Sequence, residues 1–137
     1  MPEALNVVIR WLHIASVVTL IGGILFGRLV MAPSIGTLAP EAREALADTA
    51  ATRFRPIALI AMVCLVLSGI YNILSNPGHS ALYHTLLGIK LLLAAHVFAA
   101  GILITRPKNA RRTRQMTGVV ISGLVIIFIS AWLRRIF

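Results

Sequence analysis

The chain of 137 residues is 58% hydrophobic and only 12% charged, with a mean hydropathy of +0.91. This balance excludes an ordinary soluble domain and predicts an integral membrane protein. The net charge of +9 does not indicate a nucleic-acid-binding protein, because the basic residues crowd into two connections between apolar segments, where they set membrane topology.

Four apolar segments reach the length of about 20 residues that a helix needs to cross a bilayer. They cover residues 7–31, 56–75, 82–104 and 117–133. The first segment is longer than the apolar core of a signal peptide and contains Arg10 and His13, so we expect it to be retained. Short connections between the spans predict one domain over residues 1–137, an all-α integral membrane four-helix bundle with antiparallel up-down spans.

The longest connection, residues 32–55, contains Pro40 followed by helix-favouring residues. It predicts a short interfacial helix between the first and second spans, after which Pro56 opens the second span. Asn76, Pro77 and Gly78 predict a turn after that span.

Basic residues are concentrated in the first and third connections and are absent from residues 76–81. By the positive-inside rule, the two basic connections face the cytoplasm. We therefore expect a multi-pass protein of a bacterial-type inner membrane with both termini on the outer face.

Ionisable side chains inside the spans are the main functional signal. His13, Lys90 and His96 lie within apolar segments, and His84 lies just inside the edge of one. A lysine at the bilayer centre costs on the order of 2.5–3.5 kcal/mol on insertion scales, so such a residue indicates a functional site. The structural alternative is that His13 only hydrogen-bonds between helices.

The polar and small residues of the first span recur every three or four positions and face the bundle. They are Asn6, Arg10, His13, Ser16, Gly23 and Gly27. At 1.5 Å per residue, His13 lies roughly 9 Å from the outer edge and His84 roughly 3 Å, so the two could share a site. His96 lies roughly 21 Å in, at another level.

The third span is harder to orient, since His84, Lys90 and His96 point about 120° apart. Its smallest face consists of Thr85, Gly88, Leu92, Ala95 and Ala99. If that face packs inside, Lys90 points away from it. The lysine then snorkels to the interface, meets another subunit, or shows that the inner face lies elsewhere.

Histidine is a good ligand for haem iron and copper, and a neighbouring cation would offset the charge of haem propionates. Copper(I) transport more typically uses several Met or Cys ligands, and only Met62 lies well inside the bilayer. No acidic residue occurs in any predicted span, which disfavours a carboxylate proton relay.

Two stretches resemble known membrane families. "WLHIASVVTLIGGILFGRLV", with His13, Gly22–Gly23 and Arg28, resembles the first helix of HemJ-type protoporphyrinogen oxidases. "RFRPIALIAMVCLVLSGIYNIL" and "LLGIKLLLAAHVFAAG" are similar to the CopD copper-resistance domain, and Lys90 matches a lysine of both groups. The HemJ-type resemblance implies a b-type haem and porphyrinogen oxidation, whereas the CopD resemblance implies copper uptake across the inner membrane.

The first hypothesis is a membrane protein that binds haem b between the first and third spans, for electron transfer or for porphyrinogen oxidation as a HemJ-like oxidoreductase. His13 is its first axial ligand, His84 or His96 its second, and Lys90 and Arg10 pair with the tetrapyrrole. The alternative is a CopD-like copper transport or resistance protein that uses the same histidines as metal ligands. The third is a structural subunit of a membrane complex. Expected partners are the lipid bilayer, a redox partner or quinone, and further copies of the chain.

Overall fold

The computed structural model describes residues 2–75 and 81–135, and the predicted turn at 76–78 lies outside them. The helices are α1 Pro2–Phe26, α2 Ala32–Ile35, α3 Pro40–Ser75, α4 Ala81–Ile104 and α5 Arg112–Arg135. Four stretches are long and apolar enough to cross a membrane, namely Glu3–Ile35, Pro40–Leu74, His84–Ile104 and Arg112–Leu133. The described part of the chain contains no strand. The predicted all-α class and the four spans are therefore confirmed.

The connection between the first two spans differs from the prediction. The expected interfacial helix and the second span form one continuous helix of 36 residues, with Pro56 inside it. A proline removes only its own N–H from the helix, and packing against neighbouring helices compensates for that loss. The first half of α3 has this packing, because Ala51 is buried and Phe54 contacts the core. At about 54 Å, the helix is longer than the hydrocarbon layer is thick.

An ion pair ties the first half of α3 to the start of α5. Arg112 Nη2 lies 2.9 Å from Asp48 Oδ1, and Arg112 Nε donates to the Ile104 carbonyl at 2.9 Å. The same guanidinium donates to the Arg106 carbonyl at 2.6 Å. These bonds use one arginine to satisfy carbonyl groups at and just after the end of α4 and to hold the first half of α3 beside the start of α5.

Between α1 and α2 the chain forms a π-helical turn, Gly27–Met31, in which the Ala32 N–H bonds the Gly27 carbonyl. Arg28 Nε donates to Thr117 Oγ1 of α5 at 2.7 Å. The first helical stretch is thereby anchored to α5 at the end opposite to the N-terminus.

The core receives side chains from all four long helices. Its largest fully buried apolar members are Leu20, Ile24, Ile104 and Val119. Other large apolar side chains, such as Trp11, Leu74, Leu92 and Phe128, are exposed on the outside of the bundle. An apolar outer surface is what a bundle surrounded by lipid requires.

Glycines allow close helix approach at three places. A Cβ atom at Gly23 would lie 2.6 Å from the Phe54 ring, one at Gly123 would lie 2.8 Å from Ile21, and one at Gly101 would lie 2.6 Å from the Met62 methyl. Gly22, by contrast, has nothing within 4 Å of that position. Neighbouring glycines of α1 therefore have different roles.

We predict that Gly23→Ala destabilises the protein by about 1–3 kcal/mol, because the added methyl group overpacks against the Phe54 ring. Gly22→Ala is the matched control and is expected to stabilise the protein by up to about 1 kcal/mol through helix propensity. Thermal unfolding in detergent measures both. Equal effects of the two substitutions would contradict the close α1–α3 contact.

Candidate functional site

A cavity of about 390 Å³ lies among the four long helices, and we call it the His13 cavity. Its walls are mostly apolar. Its polar lining residues are Arg10, His13, Asn72, Lys90 and Ser130. The structure thus brings together three of the predicted site residues, His13, Lys90 and Arg10.

His13 is held in place by α3. Its Nδ1 lies 2.6 Å from Ser68 Oγ, and Ser68 Oγ in turn lies 3.2 Å from the Leu65 carbonyl oxygen. A serine hydroxyl has one proton, and a carbonyl can only accept. If Ser68 donates to Leu65, the Ser68 oxygen accepts from the protonated Nδ1 of His13. In the neutral imidazole this tautomer leaves Nε2 unprotonated and able to bind a ligand in the cavity.

A second hydrogen bond joins α1 and α3, two helical turns from His13 along α1. Tyr71 Oη donates to Asn6 Oδ1 at 2.6 Å. Together with the bond between His13 and Ser68, it sets both the rotation and the register of α1 against α3. The His13 ring is thereby oriented by its surroundings before any ligand binds.

Lys90 is half-buried and lines the His13 cavity. The inner face proposed for this helix from its small residues is therefore wrong, since Gly88 is exposed and Leu92 is 74% exposed. The inner face instead contains Leu86, Val97 and Ile104, all of them buried. The size of the residues was misleading, because the face of α4 that contacts the core combines these buried aliphatic side chains with Ala100 and Gly101.

The other two histidines predicted for the site, His84 and His96, lie elsewhere. His96 Nδ1 is 2.9 Å from Ser122 Oγ, so that ring is bonded to α5. His84 is exposed, and neither residue lines the His13 cavity. Among the described residues there is no group of three or more His, Cys, Asp or Glu side chains that could hold a metal ion. The three predicted histidines, His13, His84 and His96, therefore do not converge on one site.

Sequence reasoning did not identify Ser68 and Ser122 as the histidine partners. Both are buried serines in apolar helices, and a buried hydroxyl is itself a signal that a polar group lies nearby. The pairing could not be assigned without the rotation of each helix.

A second cavity of about 480 Å³ lies further along the bundle, and we call it the Met116 cavity. Its lining includes Met31 and Met116, whose thioethers are soft ligands. Arg43, Glu44 and Arg112 also line it. Along α1 and its continuation, residues 10–21 contribute to the His13 cavity and residues 23–35 to the Met116 cavity.

Comparison with known families yields one match. The model of the copper resistance protein D-like N-terminal domain matches residues 1–78. This region contains Arg10, His13, Ser68 and Asn72 but not Lys90. No curated protein and no solved structure matches the chain. The match supports the CopD part of the resemblance and gives no support to the HemJ-type oxidase or to haem b.

We predict that each histidine responds only to its own serine. In NMR spectra of protein with labelled histidine rings, Ser68→Ala should shift the ring-nitrogen signals of His13 and leave those of His96 unchanged. Ser122→Ala, the same exchange in the other pair, should do the reverse. If either serine substitution shifted the ring-nitrogen signals of both histidines, the two separate histidine–serine pairs would be contradicted.

Proposed function

The chain belongs to the family of copper resistance protein D-like N-terminal domains, and on that premise we propose that it carries copper ions across the membrane, with His13 as a ligand during passage. The observation on which this proposal depends is a bilayer-embedded imidazole that lines a cavity and is oriented by a buried serine. Imidazole is a suitable ligand for copper. Both His13 and Ser68 lie in the matched region.

The Met116 cavity is the second copper-binding site on the proposed route. Copper(I) is a soft ion and prefers thioether or thiolate ligands to oxygen. Met31 and Met116 both line this cavity, and Met116 packs over Gly27 of the π-helical turn, with its Sδ 3.7 Å from where a Cβ atom would stand. A copper ion would pass from the histidine of the first cavity to the methionines of the second.

Buried side chains separate the His13 cavity from the Met116 cavity. Leu20 lines the His13 cavity, Ile24 lines the Met116 cavity, and both are at most 2% exposed. Passage of an ion therefore requires these side chains to move apart. The π-helical turn between α1 and α2 is where we expect the movement, because π-bulges replace regular helical hydrogen bonds and are frequent at functional sites.

For the orientation, we propose that both termini lie on the outer side of a bacterial-type inner membrane. The Met116 cavity then faces the basic connections on the cytoplasmic side, and the His13 cavity is the entry side. The support is the charge difference between connections under the positive-inside rule. Accessible cysteines introduced at residues 3 and 109 would be labelled from opposite sides, and labelling from one side would contradict this topology.

Haem b remains the second candidate because of one observation, the presence of Arg10 and Lys90 beside His13 in the same cavity. Cations in this position would offset propionate charge. His84 and His96 do not line that cavity, so among the described residues His13 would be the one histidine ligand of a haem there. Electron transfer or porphyrinogen oxidation, with a quinone or redox protein as partner, belongs to this candidate alone.

We expect the purified wild-type protein to bind copper(I) in competition with a chromogenic chelator. His13→Ala should weaken this binding by at least about tenfold, because a direct ligand is lost. His96→Ala is the matched control and should retain wild-type affinity, since that ring is bonded to Ser122 outside the cavity.

In cells, His13→Ala should lower copper accumulation through the protein, while His96→Ala should not. Equal copper affinity of wild type and His13→Ala would refute the role of His13. A Soret band that requires His13, in a protein without copper affinity, would instead select the haem candidate.

A further inference from the structure

The His13 cavity is positively charged and has no acidic side chain among its described lining residues. The chain contains only four acidic side chains, Glu3, Glu41, Glu44 and Asp48. Glu3 is in the first turn of α1, and Glu41 is in the first turn of α3. Glu44 lines the Met116 cavity, and Asp48 pairs with Arg112. No carboxylate side chain of this protein is therefore placed to balance the cavity.

Lys90 makes this imbalance costly. It is half-buried in the middle of an apolar helix, and within residues 2–75 and 81–135 no hydrogen bond or ion pair engages its ammonium group. Buried charges in proteins are normally paired, because desolvation is expensive without a compensating partner. Arg10 adds a second positive charge to the same lining, from α1.

The remaining wall is apolar. Leu87, Leu91 and Ala94 extend from Lys90 along α4, and Val17 and Leu20 continue from Arg10 along α1. A ligand that fits has an anionic group for the two cations, of which Lys90 is half-buried and Arg10 is exposed, and an apolar body along these side chains. A cavity of about 390 Å³ is within the range of about 300–1,000 Å³ that small-molecule sites occupy.

We propose that the His13 cavity binds an amphipathic carboxylate, with its carboxylate group at Lys90 and Arg10 and its apolar body against α1 and α4. Arginine and lysine side chains form strong charge-assisted hydrogen bonds with carboxylates. This site goes beyond copper passage and depends only on the charges and lining of the cavity, so it stands or fails independently of copper binding.

The test uses the full-length protein in nanodiscs of neutral phosphatidylcholine, with carboxyl-labelled octanoate as the probe and NMR as the readout. Wild type should bind octanoate, and Lys90→Met should bind it at least about tenfold more weakly, since a charge-assisted hydrogen bond is lost. Lys108→Met is the matched control, because Lys108 is the other lysine of the chain and is exposed. It should bind as wild type does.

Lys90→Arg keeps the positive charge and should bind octanoate as wild type does. This result would show that Lys90→Met weakens binding by removing the charge and not by disrupting the fold. We also expect Lys90→Met to unfold at the same temperature as wild type or higher when no ligand is present, because the lysine has no partner to lose among the described residues. A large drop in its unfolding temperature would show that Lys90 is already paired in the protein and would overturn the proposal.

Three further comparisons decide the chemistry. Octanol binding as tight as that of octanoate would overturn the proposal, because the cavity would then select only for apolar bodies. Acetate and chloride that bind as tightly as octanoate would overturn the amphipathic part of it. Haem also has carboxylates on an apolar body, so a Soret band dependent on both His13 and Lys90 supports a tetrapyrrole source, whereas octanoate binding that needs Lys90 but not His13 supports an aliphatic acid.

Discussion

A polar side chain surrounded by hydrocarbon needs a partner inside the protein, and this requirement organises the whole bundle. His13 bonds to Ser68 between α1 and α3, and His96 bonds to Ser122 between α4 and α5. Arg28 of the π-helical turn bonds to Thr117 of α5. Each bond joins two helices and fixes their relative rotation. The apolar core then fills the space among helices that these bonds have oriented.

Among the described residues that line the His13 cavity, Lys90 and Arg10 are charged and have no such bond, and they define the proposed site. Both line a cavity whose lining also contains Asn72, Ser130 and a histidine that is oriented by its serine. Copper passage and carboxylate binding use different groups of this cavity, the His13 imidazole for copper and the cationic side chains for the carboxylate. The two proposals are therefore compatible with each other.

The overall fold was largely predictable from the sequence, because span length and hydropathy are properties of a single helix. Segment 82–104 corresponds to α4, Ala81–Ile104. The N-terminal extension of α3 was not predictable from Pro56, since the contacts that compensate for the missing N–H come from other helices. Its ion pair joins residues 64 positions apart in the chain.

The site was predictable only in part. The polar stripe of α1 predicted that His13 points toward the interior of the bundle. His13 lines a cavity there, and Arg10 lines the same cavity. The prediction of the inner face of α4 was wrong. This helix is almost equally hydrophobic on all sides, so its rotation is set by contacts with neighbouring helices. The serine partners of the histidines and the placement of Lys90 in the same cavity as His13 depend on helix rotation. They could therefore not be predicted from the sequence of any single span. Of the two family resemblances, the comparison supports the copper-resistance one.

Copper K-edge X-ray absorption of the copper-loaded protein reports which atoms surround the metal, and it can show directly whether His13 is a ligand. We expect the outer-shell scattering of an imidazole ring in wild type, and its loss in His13→Ala but not in His96→Ala. An imidazole signal that persists in His13→Ala, or a first shell of sulfur alone in wild type, would contradict the assignment of His13 as the copper ligand of this membrane bundle.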